Sequence, residues 1–204
     1  MEEQQAVDLL KNGNPSGLEY LVEKYQVKAI QAAYLILGDR DLAEDTTQSA
    51  FLTAAEKIVQ FDPTRPFGPW FYRIVVNAAL KASLRERKQV ALDAGDREKS
   101  LPGWLSDPGK TLEEMVESAE TRREVWQAIC KLTLKQQTAL VMRYYLHMSD
   151  KEISQELDRP LSAIRWSIFA GHERLRTLLS ALRPSSDHLV NPAQPNPEGS
   201  VKHE

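Results

Sequence analysis

Along most of the chain, apolar residues return every three or four positions, the period of a helix buried on one side. Glu2 to Lys11 predicts a short helix stopped by Asn12-Gly13-Asn14-Pro15, with Asn14 or Ser16 placed to cap the next one. Leu18, Leu21, Val22, Tyr25, Ala29, Ala33 and Ile36 form the stripe of a second helix that ends at Gly38. Asp39 and Asp41 stand where the N-terminus of a third helix, running to about Ile58, accepts negative charge. Asp62-Pro63-Thr64-Arg65-Pro66-Phe67-Gly68-Pro69 reads as a rigid turn-rich loop, and a fourth helix is predicted from about Trp70 to Lys88. The period lapses over 89–110, which reads as a flexible linker, resumes over 111–183, and gives way to a Pro-rich tail at 184–204 expected to be disordered. No stretch alternates convincingly as a strand. The expected fold is all-α: two small helical domains, 1–88 and 111–183, joined by that linker.

The second domain holds a recognisable pattern. Ser149 and Glu152 are spaced as a capping box, and Ile153 and Leu157 make the apolar stripe of a short helix. Asp158-Arg159-Pro160 cannot continue it, because a proline disfavours helical backbone at the residue before it. A further helix starts near Leu161 or Ser162 and carries Ile164, Ile168, Leu175, Leu178 and Leu179. Two helices across a three-to-four-residue turn form a helix-turn-helix, whose second helix enters the major groove of DNA. Charge agrees: Arg159, Arg165, Arg174, Arg176 and Arg183 face one acid, Glu173. An ordinary helical hairpin with a solvated basic face is the competing reading of this motif alone.

Net charge is only −3, which argues against indiscriminate nucleic-acid binding, but charge is segregated along the chain. Arg65, Arg73, Lys81, Arg85, Arg87 and Lys88 are opposed by Glu86 alone and interleaved with Phe67, Trp70, Phe71 and Tyr72. Cations for phosphates and rings for bases are what single-stranded DNA binding needs, although at least one of Trp70 and Phe71 is expected in the core. Upstream, Asp39-Arg40-Asp41-Leu42-Ala43-Glu44-Asp45 is acidic and suits a basic protein partner better than DNA.

Composition narrows the class. No apolar run approaches a bilayer span, the acidic start lacks a secretory pattern, and the cytoplasm is the expected compartment. One cysteine, Cys130, excludes an internal disulfide and is expected to be buried and structural. The four histidines show no metal spacing, and no phosphate loop or nucleophile–base pair is visible, so neither enzyme nor cofactor is expected.

With these motifs in place, the chain resembles the extracytoplasmic-function class of bacterial RNA polymerase sigma factors over about residues 16–183, the linker excluded. The stretch 41–51 is similar to the family's polymerase-docking signature, which implies that Asp41, Glu44, Asp45 and Gln48 meet the β′ clamp helices of core RNA polymerase. Segments 67–77 and 84–88 are similar to the part that melts and reads the minus-ten element. This implies promoter-DNA roles for Asp62, Arg65, Phe67, Trp70, Arg73, Asn77, Arg85, Arg87 and Lys88, with an unstacked base held by the loop. Leu132 to Tyr145 resembles the entry to sigma domain four, which meets the β flap, and the helix-turn-helix its minus-thirty-five reader. Ser162, Arg165, Trp166, Phe169, His172 and Arg176 are the implied groove residues. The linker would thread toward the RNA exit path.

The chain departs from the family pattern where Ser167, Ala170 and His172 replace basic residues, Val76 an arginine and Ser49 an acid. Each lost phosphate contact lowers the salt slope by about 0.9, so DNA binding is expected to depend on polymerase. The class also implies an anti-sigma partner, which exposed Trp104, Trp166 and Phe169 would suit. Thr46 and Thr47 would alter docking if phosphorylated. The competing readings are a sigma-like regulator that does not initiate and an all-helical protein-interaction adaptor.

Overall fold

The computed structural model describes residues 1–90, 121 and 123–180, the side chains of 87–90 excepted. The expected linker beyond residue 90, the start of the second block at 111–120 and the tail at 184–204 lie outside the described residues. The first unit contains α1 (Glu3–Lys11), α2 (Pro15–Leu37), α3 (Arg40–Lys57), a single 3-10 turn at Ile58–Gln60, and α4 (Phe67–Val90). The second begins with helical residues 123–130, α5. It continues with α6 (Leu134–Leu140), a π turn at Val141–Tyr145, α7 (Asp150–Glu156) and α8 (Leu161–Ser180). Among the described residues there is no strand, and the all-α class stands.

Local chemistry sets the boundaries. Asn14 caps α2 by accepting the Ser16 amide at 3.0 Å, with Pro15 as the first helical residue, so the helix starts three residues before the apolar stripe. Asp39 caps α3 through the Leu42 amide at 2.9 Å. The fourth helix begins at Phe67 rather than Trp70, because Pro69 falls in its first turn, where the missing N–H would have no helical partner anyway. The exposed loop therefore shrinks to Asp62–Pro66.

The core of the first unit is aromatic. Phe71, fully buried, stacks on Phe51 with centroids 4.3 Å apart and on Phe67 at 5.8 Å, and Tyr25 meets all but Phe51 of this group. In the second unit α8 crosses α6 at Gly171, where a Cβ would lie 2.9 Å from Leu140 Cδ1. That close approach accounts for a glycine that costs a helix interior about 1 kcal/mol.

The two units are packed together. The last four carbonyls of a helix have no partner within it. At the end of α2, Tyr34 O accepts from Gly38 N at 2.8 Å, and Leu35 O accepts from the Gln137 amide of α6 at 2.6 Å. The second unit thus caps a helix of the first. Tyr34 also stacks on Trp126 of α5 at 5.0 Å, the Tyr145 hydroxyl bonds Gln31, and Lys28 lies over both Tyr72 and Tyr145. Burial pushes the Tyr72 and Tyr145 phenols up to about 12.

Candidate polymerase and promoter interfaces

On α3 the helical period separates two faces. Ala43, Thr46, Thr47, Ala50, Phe51 and Ala54 are buried, while Asp41, Glu44, Asp45 and Gln48 are all exposed. Thr46 and Thr47 therefore lie in the core, and their expected availability for phosphorylation is corrected: a kinase would have to unpack the helix. The exposed face continues with Leu52, 58% exposed, so an apolar side chain sits one turn beyond Gln48. Arg40 pairs with Glu44 at 2.8 Å and softens the acidity at one end.

The loop after α3 is shaped from within. Asp62 accepts the Thr64 amide at 3.0 Å and its hydroxyl at 2.7 Å, and these bonds hold the Asp62 carboxyl below its ordinary range. Arg65 reaches back to Asp62 at 3.7 Å. Asp62 thus builds the loop as well as being exposed on it. Phe67, expected among the DNA-facing residues, is 2% exposed and packs with Phe61, Trp70 and Phe71. That expectation is corrected, because a side chain in the core cannot meet a base. Trp70 is half-buried, its ring 5.1 Å from Phe61, and Asn77 is half-buried on the same helix. Arg85 is exposed; the side chains of Arg87 and Lys88 lie outside the described residues.

Arg73 stands apart from the other basic residues of α4. Its guanidinium lies 2.8 Å from Glu156 of α7, in the other unit. The Glu156 oxygen is buried without a hydrogen bond of good direction, and burial pushes its carboxyl up despite the arginine. At this point α4 is thus covered by the helix-turn-helix half.

In that half the capping box forms as the spacing predicts: Ser149 Oγ accepts from the Glu152 amide at 3.3 Å, and Glu152 accepts from the Ser149 amide at 2.7 Å. The turn passes through Asp158 with φ +48°, and the Ser154 hydroxyl donates to Arg159 O at 2.5 Å. On α8, Ile164 and Gly171 face inward, while Ser162, Arg165, Trp166, Phe169, His172 and Arg176 are exposed. Trp166 and Phe169 lie 5.7 Å apart at 67% and 56% exposure. Sequence reasoning missed three contacts here. Asp150 holds both Arg165, at 3.5 Å, and Arg143, at 3.6 Å. His172 bonds the Tyr144 hydroxyl at 2.7 Å. Asp150 was legible only as a first-turn acid, and no local signal ties it to Arg165.

Comparison with known proteins decides the family. Residues 21–89 match the model of Sigma-70 region 2, and residues 122–175 that of Sigma-70, region 4. The chain is 31% identical over 176 residues to the ECF RNA polymerase sigma factor SigW of Bacillus subtilis, covering 85% of this chain and 94% of the relative. This chain belongs to the ECF RNA polymerase sigma factors. It is also 28% identical to the sigma-E factor of Escherichia coli, over 86% of this chain and 93% of that protein. Its fold is like that of CnrH, solved with the cytosolic domain of CnrY (TM-score 0.61, 21% identity, 88% of this chain and 97% of that one). It is equally like the sigma factor RpoE of Bartonella quintana, solved with the anti-sigma factor NepR (TM-score 0.61, 17% identity, 81% and 99%). As a sigma factor, this chain binds core RNA polymerase and brings it to promoter DNA for initiation, and the non-initiating and adaptor readings fall away. It is not an enzyme, since RNA synthesis is the work of the polymerase. No helix among the described residues is long and apolar enough to cross a membrane.

Proposed function

We propose a division of labour in which three exposed faces act in turn, within domains spanning 1–88 and 111–183. The acidic face of α3, through Asp41, Glu44, Asp45 and Gln48, docks on the β′ clamp helices of the polymerase. The loop Asp62–Pro66, with Trp70 and Arg65, captures an unstacked minus-ten base, and Arg73, Asn77, Arg85, Arg87 and Lys88 follow the backbone. Ser162, Arg165, Trp166, Phe169, His172 and Arg176 of α8 enter the minus-thirty-five groove, while the rest of that domain meets the β flap. The observation that carries this reading is that the docking set and the groove set each share one exposed helical face, with core residues on the opposite face.

The groove set is poor in charge, and Arg165 and Arg176 are each paired with an acid in the free chain. Binding to the minus-thirty-five element is therefore weak unless polymerase holds the domain there. The two promoter elements lie some 25 base pairs apart, roughly 85 Å at the rise of DNA, whereas Arg73 and Glu156 touch. The units must separate for both elements to be read at once. The likeness to CnrH, solved with the cytosolic domain of CnrY, and to the sigma factor RpoE, solved with the anti-sigma factor NepR, supports an anti-sigma regulator, for which exposed Trp166 and Phe169 offer apolar surface; Trp104 lies outside the described residues. Such a factor works in the cytoplasm, with its polymerase.

Run-off transcription with purified core polymerase on a genomic library tests the proposal. Discrete start sites preceded by common elements at both positions are expected. Start sites that share a minus-ten element but nothing near minus thirty-five would remove the groove assignment.

A further inference from the structure

The structure assigns a positioning role to α1, which lies wholly before the segment matching the region 2 model. Two charged side chains of this helix grip the two ends of the proposed base-capture loop. At the entry, Lys11 Nζ donates to the Phe61 carbonyl at 2.9 Å and lies 5.9 Å over the Phe61 ring. At the exit, Glu3 Oε1 accepts from the Phe67 amide at 3.3 Å, the first N–H of α4 and one with no partner inside the helix. A carboxylate there also meets the positive end of the helix dipole. The other Glu3 oxygen is held by Lys24 at 2.6 Å and by the Tyr25 hydroxyl, so the carboxylate is fixed from both sides.

Lys11 and Glu3 lie eight residues apart, about 12 Å along a helix at 1.5 Å per residue. α1 itself cannot drift. A Cβ at Gly17 of α2 would fall well inside contact distance of the Ala6 carbonyl and 2.7 Å from the Leu10 nitrogen, so the two helices touch backbone to backbone. Only Asp62–Pro66 between the grips is free of the core, and all five residues are exposed. A loop whose ends are fixed this way pays less ordering entropy when it receives a base. Lys11 and Glu3 are thus positioning residues for strand capture. This rests on the base-capture reading above.

The test uses full-length chain, core polymerase and a promoter fragment defined by run-off transcription, with 2-aminopurine at the captured base. Lys11→Met is expected to slow or weaken opening about tenfold, the worth of one charge-assisted hydrogen bond. Affinity for core polymerase and helix content stay unchanged, and Lys11→Arg restores most of the opening. Glu3→Gln behaves likewise. Unchanged opening in both variants overturns the inference, as does a parallel loss of core affinity, which would mean a merely structural role. Trp70→Ala and Arg65→Ala separate the two failures: if these also leave opening intact, the base-capture reading itself is wrong. If they abolish it while Lys11→Met does not, only the positioning role is lost.

Discussion

Removing the cap that the second unit places on α2 should open the molecule. Gln137 is 2% exposed, and its amide is the partner of the Leu35 carbonyl at 2.6 Å. Gln137→Ala leaves that carbonyl in the closed joint without the amide, at a cost of about 1–3 kcal/mol. In the separated state water satisfies the same carbonyl, so the whole cost falls on closure. The closed-to-open ratio should therefore fall about 5- to 150-fold. Cys130, the one cysteine of the chain, reports this directly, because it packs against the joint core close to Tyr34, whose phenol burial pushes up with Cys130 adding to the effect. Under native conditions its labelling rate by a thiol reagent should rise, by at most that factor, because the half-buried thiol is only partly shielded in the closed state. Glu156→Gln is the control. The variant keeps the shape and hydrogen-bonding capacity of the side chain opposite Arg73, whose guanidinium is half-exposed, so the rate should change less than for Gln137→Ala. An unchanged labelling rate for Gln137→Ala would refute the reasoning, and so would a larger effect from Glu156→Gln.

Further outcomes follow from the same geometry. Gly17→Ala forces a methyl into the backbone of α1 and should lower stability by about 1–3 kcal/mol or more, read as a fall in thermal midpoint. Burial raises the Glu3 carboxyl, but its bonds to Lys24 and Tyr25 outweigh this and hold it below 4.5. Its stabilising contribution is complete above 4.5 and lost as pH falls through the lower folded value, so Glu3→Gln should flatten the pH dependence of unfolding in that acid window and not at neutrality. Arg165→Ala should reduce transcription from the cognate promoter and lower the salt slope of promoter binding by about 0.9 if its contact is a phosphate, or leave the slope intact if it reads a base. Reversing the charge of Asp45 should abolish capture of core polymerase in a pull-down, with helix content unchanged, since the side chain is exposed and unpaired with the core.

Local pattern was enough for much of this protein. Helical period, the caps at Asn14, Asp39 and Ser149, and the proline after Arg159 depend on residues within a few positions of one another, so the class, the helix order and the helix-turn-helix could be read directly. That the proposed docking and groove residues each share one exposed face was legible for the same reason: a helix face is a sequence interval. Errors arose where period is silent. Phe67 and Thr46 belong to stretches with the right chemistry, but which side of a helix meets the core depends on the partner helix, and both proved buried.

What tertiary structure alone decided is set by contacts far apart in the chain. Glu3 with Phe67, Lys11 with Phe61, Gln137 with Leu35, and Arg73 with Glu156 all join residues 50 to 102 positions apart, further than a helix can reach. No short-range propensity encodes such pairs: the first three turn on a backbone donor or acceptor left without a local partner, and the fourth on which helix lies opposite Arg73. The sequence by itself determined what each surface is made of. The fold decided which of those surfaces face outward, and which are held against the other half.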